Sequence, residues 1–354
     1  MEIPTAKLYE ILSEQLPRFQ PSGEPERLEG GNLNHVWRLK GEPRNLIIKH
    51  APPYIASNPD VPLSSNRIDF EARALKLFEL DEMLHKLASE RIRPPKALLY
   101  EPGHSLLVME DIGPVPAIDS RLSVDRDAVS AGEMLGRFIG QLHKTTFGHT
   151  DLPGQFNNQA IQETRDRVQY QPAAGYARDI VSVPDDAFET HAKSLGKKLL
   201  EPGCCLVMGD LWPASILVSR GNLRLIDWEF VHFGRPLQDA GHFAAHCWMQ
   251  AHASPSPRQA RRWKKLWQSF WHTYRQTTGE DFKKLFDPEE RTFMNIHIAA
   301  EILVRAAGPF KSGYVYSELP PGHPLIKEAV KSALYISESG LPSIWDSQPS
   351  ANRG

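Results

Sequence analysis

The stretch LVMGDLWPASILVSRGNLRLIDWEF, residues 206–230, constrains the fold more than any other part of the chain. A strand-like run stops at a polar break that carries Asp210, then resumes with Ile216, Leu217 and Val218. The chain next turns at Gly221-Asn222, as a hairpin does, and a second apolar run leads into Asp227 and Glu229. Residues two apart on an extended chain point to the same side, so both of these carboxylates face one space. The fold-back returns them towards Asp210, and three separated acids become one expected site.

Around this segment the texture divides the chain. Residues 5–17 have amphipathic helical spacing, RLEGGNLNHVWRLK and NLIIKHA read as two strands about the break GEPR, and KALLYEPGHSLLVMED supplies a second strand pair. Between them, SSNRIDFEARALKLFELDEMLHKL reads as one helix. This order predicts an α+β N-lobe with an antiparallel sheet over residues 1–112. Helices follow over 128–145, 186–200, 258–278, 288–307 and 324–338, interrupted by a short strand pair at 205–226. They predict a larger, mainly helical C-lobe over 113–345, with residues 346–354 as a frayed tail.

Composition excludes several classes of function. The 354 residues are 41% hydrophobic, ample for a sizeable core, and the formal net charge is -2. General affinity for nucleic acid or an anionic membrane needs a strong basic excess, which is absent. The N-terminus lacks the features of a signal peptide, and no apolar run reaches membrane-spanning length, so a soluble, cytoplasmic protein is expected. The expected partner is a small-molecule acceptor, with a homodimer left open. Cys204, Cys205 and Cys247 have neither disulfide nor zinc spacing and read as buried small hydrophobes.

The chemistry is carried by polar residues in a definite order. Gly30 and Gly31, followed by Asn32 and Asn34, sit between strand-like segments, where glycine lets backbone amides face phosphate oxygens. Taken alone, Gly-Gly is equally an ordinary hairpin turn. Nineteen residues after Gly30, Lys49 closes the strand Leu46-Ile47-Ile48, placed either against phosphates or in solvent. Glu71, on the next helix, can reach across to Lys49. Asp227 and Glu229 offer the hard oxygen ligands that suit Mg2+ alongside ATP phosphates. Asp210 is then the carboxylate that orients a substrate hydroxyl and takes its proton, in a reaction catalysed mainly by positioning and charge neutralisation.

GDLWPASIL followed by LIDWE resembles the catalytic loop and metal motif of the aminoglycoside phosphotransferase and choline kinase group, which has a protein-kinase-like fold. GGNLNHVWRLK, LIIKHAPPYI, RIDFEARAL and VMEDIG are similar to the methylthioribose kinase family within it, over about residues 28–310. The resemblance implies Lys49 on the phosphates with Glu71 as its partner, Asp210 as catalytic base, and Asp227 and Glu229 as metal ligands. It also implies adenine held by backbone groups near Glu110 to Ile112, and Asp239 bracing the catalytic loop. Ser215 stands where related kinases usually carry a metal-binding asparagine. Met208 and Trp212 depart from the usual histidines, and a similar tryptophan occurs in fructosamine kinases and fungal hydroxytryptamine kinase. Methylthioribose kinases tend to have two adjacent arginines on the sugar; here the pair is Val304-Arg305.

The acceptor is the open question. Trp212, Trp228, Arg235 and Arg305 are candidate contacts, each with a packing or surface role as the alternative. Trp263, Trp267 and Trp271 recur every four residues and read as core. His242 and His246, also four apart, could form a metal pair, but no third ligand stands at suitable spacing. The functional expectation is an ATP- and Mg2+-dependent kinase of a metabolite hydroxyl, methylthioribose-like sugars first and hydroxylated amines second. A nucleotide-binding protein without turnover is the competing class. A protein kinase is disfavoured because no arginine precedes Asp210 in the loop and Asp227 to Asp239 leaves little room for an activation loop.

Overall fold

The computed structural model describes residues 3–28, 33–182 and 186–341. Gly30, Gly31, Asn32 and the tail from residue 346 lie outside the described residues. The chain divides into two compact units, Met1–Val115 with Arg224–Val231, and Pro116–Leu223 with His232–Gly354.

The first unit begins with α1 (Thr5–Gln15). Strands β1 (Glu26–Arg27), β2 (His35–Leu39), β3 (Leu46–His50), β4 (Ala97–Glu101) and β5 (Leu106–Glu110) form an antiparallel sheet in the order β1-β2-β3-β5-β4. On one face Leu39, Leu46, Ile48, Leu106 and Val108 pack against Leu8, Ile11 and Leu12 of α1. Strand alternation therefore turns Lys49, between Val36 and Leu107 in the ladder, to the opposite face. There α2 (Arg67–Lys76) presents Glu71 to it. The single helix expected over 64–87 ends at Lys76. Asp81 takes a positive φ of 67°, and the chain reverses so that the Leu84 amide donates to Leu77 and its side chain is buried.

The second unit is built on α3 (Asp125–Thr146), α4 (Gln159–Arg165) and α5 (Ala187–Lys198), then strands β6 (Cys205–Val207), β7 (Ile216–Ser219), β8 (Asn222–Leu225) and β9 (His232–Gly234), with β8 belonging to it through Leu223 and to the first unit from Arg224. Helices α6 (Leu237–His252), α7 (Pro257–Thr278), α8 (Pro288–Ala306) and α9 (Pro324–Ser339) follow. Strand β6 pairs with β9, Leu206 opposite Phe233, while β7 and β8 flank a turn of their own. The turn residues are Arg220 and Gly221, with φ of 50° and 80°, one position earlier than the expected Gly221-Asn222.

Helices α7, α8 and α9 each start with proline, whose missing N–H is no loss there; at α8 the Asp287 side chain also accepts from the Glu290 amide at 2.7 Å. Helix α6 was not anticipated, although its neighbours were. Every residue from Leu237 to Met249 is buried, so the segment has no polar face from which a helical period could be read.

Helices α3 and α7 approach closely along Gly132, Gly136 and Gly140. A β-carbon at Gly132 or Gly136 would collide with the backbone of Leu266 or Phe270 respectively, and one at Gly140 would crowd Thr277. Trp263 and Trp267 of α7 are buried in the core, while half-buried Trp271 packs edge-on against Phe282 and Phe286. Gly136→Ala should therefore destabilise the protein by ~1–3 kcal/mol through overpacking, read as a lower urea midpoint at unchanged slope.

Candidate active site

In the first unit, one ammonium stands among three carboxylates. Lys49 Nζ lies 2.8 Å from Glu71 Oε2 and 3.0 Å from Asp227 Oδ1, and it also contacts Glu229 Oε2. Burial would lower the Lys49 pKa, but Asp227, Glu229 and Glu71 raise it well above its ordinary value. Burial, with the neighbouring Glu71 and Asp227 charges, pushes Glu229 up to about 8 against the pull of Lys49. Both shifts have one origin: three acids converge on the Lys49 ammonium, with the buried Arg67 guanidinium close to Glu229 and Glu71.

Two further residues fix this cluster. Asn34 Nδ2 donates to Glu229 Oε2 at 2.8 Å, while Asn34 Oδ1 accepts from Arg67 Nε at 2.9 Å. The Arg67 guanidinium donates on to the carbonyls of Pro52 (2.9 Å), Ser64 (2.6 Å) and Leu33 (2.8 Å). Glu71 Oε1 accepts the Trp228 amide at 3.2 Å. Asp227 has a φ of 64°, a left-handed conformation that aspartate tolerates better than most residues. Its carboxylate is 42% exposed, whereas those of Glu71 and Glu229 are buried.

This set fits a hard divalent cation. Carboxylate oxygens of Glu71, Asp227 and Glu229 lie within 4.8 Å of one another, and no nitrogen or sulfur ligand belongs to the group.

In the second unit, Asp210 sits in a braced loop. Asp239, fully buried on α6, accepts the Met208 amide at 2.9 Å and the Gly209 amide at 2.7 Å. It also pairs with His143 Nε2 at 3.0 Å, and His143 is in turn hydrogen-bonded to the Tyr274 hydroxyl at 2.9 Å. Gly209 has a φ of 83°, which glycine adopts without strain. Arg165 of α4 donates to the Gly209 carbonyl and, through Nη2, to Asp210 Oδ1 at 2.9 Å. His242 Nε2 stands 3.2 Å from the same oxygen. Burial would raise the Asp210 pKa, but His242, Arg165 and Arg305 hold it down at about 2, so the carboxylate is ionised at neutral pH. Its Oδ2 has no partner among the described residues.

Beside this loop lies an aromatic box. The Arg305 guanidinium is 4.9 Å from the Trp212 ring, 5.2 Å from Tyr314 and 5.5 Å from Phe310, while its Nε donates to Glu301 Oε1 at 2.8 Å. A model of the phosphotransferase enzyme family matches residues 24–275 of the chain. The chain belongs to that family.

A 4-hydroxytryptamine kinase from Psilocybe cyanescens is 26% identical over 250 residues, covering 64% of this chain and 68% of that protein. A methylthioribose kinase from Escherichia coli is 27% identical over 311 residues, covering 78% of this chain and 72% of the relative. The structure of a choline kinase from Cryptosporidium parvum matches with a TM-score of 0.56 at 11% identity, over 95% of this chain and 97% of that one, a likeness of fold. The protein is thus an ATP-dependent phosphotransferase with a hydroxyl acceptor, a small-molecule kinase of protein-kinase-like fold. No described helix is long and apolar enough to cross a membrane.

Other residues of this phosphotransferase singled out in the sequence are engaged elsewhere. Trp228 is fully buried, with Nε1 donating to the Leu225 carbonyl at 2.9 Å and its ring edge-on to Phe78, so it has no surface for an acceptor. Arg235 is held by Glu290 at 2.7 Å and Glu289 at 3.3 Å, tying the start of α6 to α8. Ser215 Oγ closes its own loop, accepting from Trp212 N at 3.2 Å and donating to Trp212 O at 2.8 Å. The Glu110 side chain pairs with Arg93 and accepts the Lys96 amide at 3.0 Å. The Ile112 amide has no partner among the described residues.

The sequence reading did not select Arg67, Arg165, His242 or Glu301 for the site. The first stood in a quoted motif, RIDFEARAL, and a buried arginine at a helix start was its only signal. Arg165 and Glu301 reach the loop from separate helices, which no local spacing records. Because Asp239 satisfies three buried groups, Asp239→Ala should cost at least about 3 kcal/mol, at ~1–3 kcal/mol for each unmet hydrogen bond. Urea unfolding measures this, with Asp239→Asn expected to fall between the variant and wild type.

Proposed function

We propose that this phosphotransferase moves the γ-phosphate of ATP to a hydroxyl of a small uncharged sugar, methylthioribose or a related compound, with Asp210 as the catalytic base. The observation that carries the choice of acceptor is the occupied aromatic box. Trp212, Tyr314 and Phe310 could cage an ammonium group, but Arg305 already fills that place and is anchored by Glu301. A cationic acceptor would have to displace the guanidinium and sit near Arg165 as well. A polyhydroxyl acceptor instead finds donors in Arg305 and an acceptor in Asp210.

In this reading Lys49, held by Glu71, places its charge on the ATP phosphates, and the Ile112 amide and neighbouring backbone hold the adenine. Asp227 and Glu229 would hold Mg2+, which neutralises phosphate charge when bound. Asp210 Oδ1 is fixed by Arg165 and His242, so Oδ2 is the atom left for the substrate hydroxyl. A carboxylate this acidic does not strip a proton from a ground-state alcohol. It accepts the hydroxyl's hydrogen bond, aims the oxygen, and takes the proton as the new P–O bond forms.

Asp210→Ala should lower kcat by about 10²–10⁴-fold with little change in nucleotide affinity, whereas Lys49→Ala should mainly raise the KM for ATP. Transfer from ATP to methylthioribose, other sugars, hydroxylated amines and aminoglycosides identifies the acceptor, with kcat/KM expected to favour a sugar. Preference for a hydroxytryptamine or choline-like amine would overturn the acceptor assignment. Nucleotide binding with no Asp210-dependent transfer to any of these would favour a protein without turnover.

A further inference from the structure

We propose that His242, His246 and Glu301 form a binding site for one divalent transition-metal ion, with Zn2+ the best match to the donors. The two histidines stand four residues apart on α6, which sets their rings on one helical face, tilted by 53° with centroids 4.7 Å apart. Both turn a nitrogen to the same carboxylate on α8: His246 Nε2 is 3.1 Å from Glu301 Oε1, and His242 Nδ1 is 3.7 Å from Oε2. One ligand atom from each residue lies within 4.8 Å of the others. Tetrahedral Zn2+ with bonds of ~2.0 Å sets its ligands ~3.3 Å apart, so small side-chain adjustments close the site.

The independent sign of a missing ligand is His242. Its side chain is 1% exposed, yet neither ring nitrogen makes an aligned hydrogen bond among the described residues. Its two carboxylate neighbours, Asp210 at 3.2 Å and Glu301 at 3.7 Å, are not in hydrogen-bonding alignment with it, which is rare for a buried imidazole, and a metal on Nδ1 would satisfy that nitrogen.

The surroundings also match those of ligating histidines, whose second nitrogen usually faces a hydrogen-bonding oxygen. His246 Nδ1 is hydrogen-bonded to the Tyr314 hydroxyl, and His242 Nε2 faces Asp210 Oδ1 at 3.2 Å. Arg305 holds Glu301 through Oε1, which leaves Oε2 for the ion. With metal on Nδ1, His242 is neutral and its Nε2–H points at Asp210, so occupancy would orient the loop carboxylate. Two nitrogens and one oxygen do not suit Mg2+, which separates this site from the all-carboxylate set around Asp227.

Full-length protein stripped with chelator, equilibrated with Zn2+ and freed of unbound metal should retain one zinc per chain by elemental analysis. Loading with Co2+ should give the intense visible absorption of a four-coordinate centre. His246→Gln and Glu301→Gln, checked for native circular dichroism, should lose the zinc, while Asp227→Asn keeps it. Wild-type protein without retained zinc, a Co2+ form without the visible bands, or zinc that survives His246→Gln would overturn the site. Those results would leave His242 as a packing residue between the carboxylates of Asp210 and Glu301. The readout is metal content, so its failure is distinguishable from failure of the kinase reading.

Discussion

The contact between Lys49 and the carboxylates of Glu71, Asp227 and Glu229 organises the first unit. Each part of that unit is placed to make it. The sheet core formed by Leu46 and Ile48 against α1 leaves Lys49 on the opposite face, and α2 brings Glu71 over it. Asp227 enters through a left-handed backbone conformation, and the Asn34–Arg67 pair holds Glu229. Three acids converge on one ammonium, and burial with the Glu71 and Asp227 charges raises Glu229 to about 8, so at neutral pH it largely keeps its proton. In the function proposed above, a metal-bound nucleotide triphosphate would bring both the cation for these acids and the phosphates for the lysine.

The second unit treats its key acid in the opposite way. Asp210 is surrounded by Arg165, His242 and Arg305, which hold its pKa at about 2 and leave one oxygen free. Its backbone is braced by Asp239 through the amides of Met208 and Gly209. The loop is thereby fixed by buried hydrogen bonds rather than by surface contacts, which keeps the Asp210 carboxylate in one orientation.

Much of this was legible in the sequence where local pattern and chemistry coincide. The α+β beginning, the helices after 113 and the break at Asp210 all leave a periodic or punctuated trace. Helix α6 left none because it is buried on every side, and with it went His242 and His246 as neighbours of Asp210. Trp228 misled for a related reason. Its position beside Asp227 suggested an acceptor wall, but its large ring belongs to the packing against Phe78. Glu301 and Arg165 became visible only once separate helices were packed, since nothing in sequence spacing joins residues 165, 210, 242 and 301.

The proposed role of the carboxylates around Lys49 in holding a metal-bound nucleotide is tested most directly by calorimetric titration of a non-hydrolysable ATP analogue, with and without Mg2+, on wild type and Asp227→Asn. The prediction is that Mg2+ tightens binding to wild type by about tenfold or more, roughly 1.4 kcal/mol, and that Asp227→Asn loses most of this gain. Equal affinity with and without Mg2+ in wild type, or an undiminished gain in the variant, would contradict it.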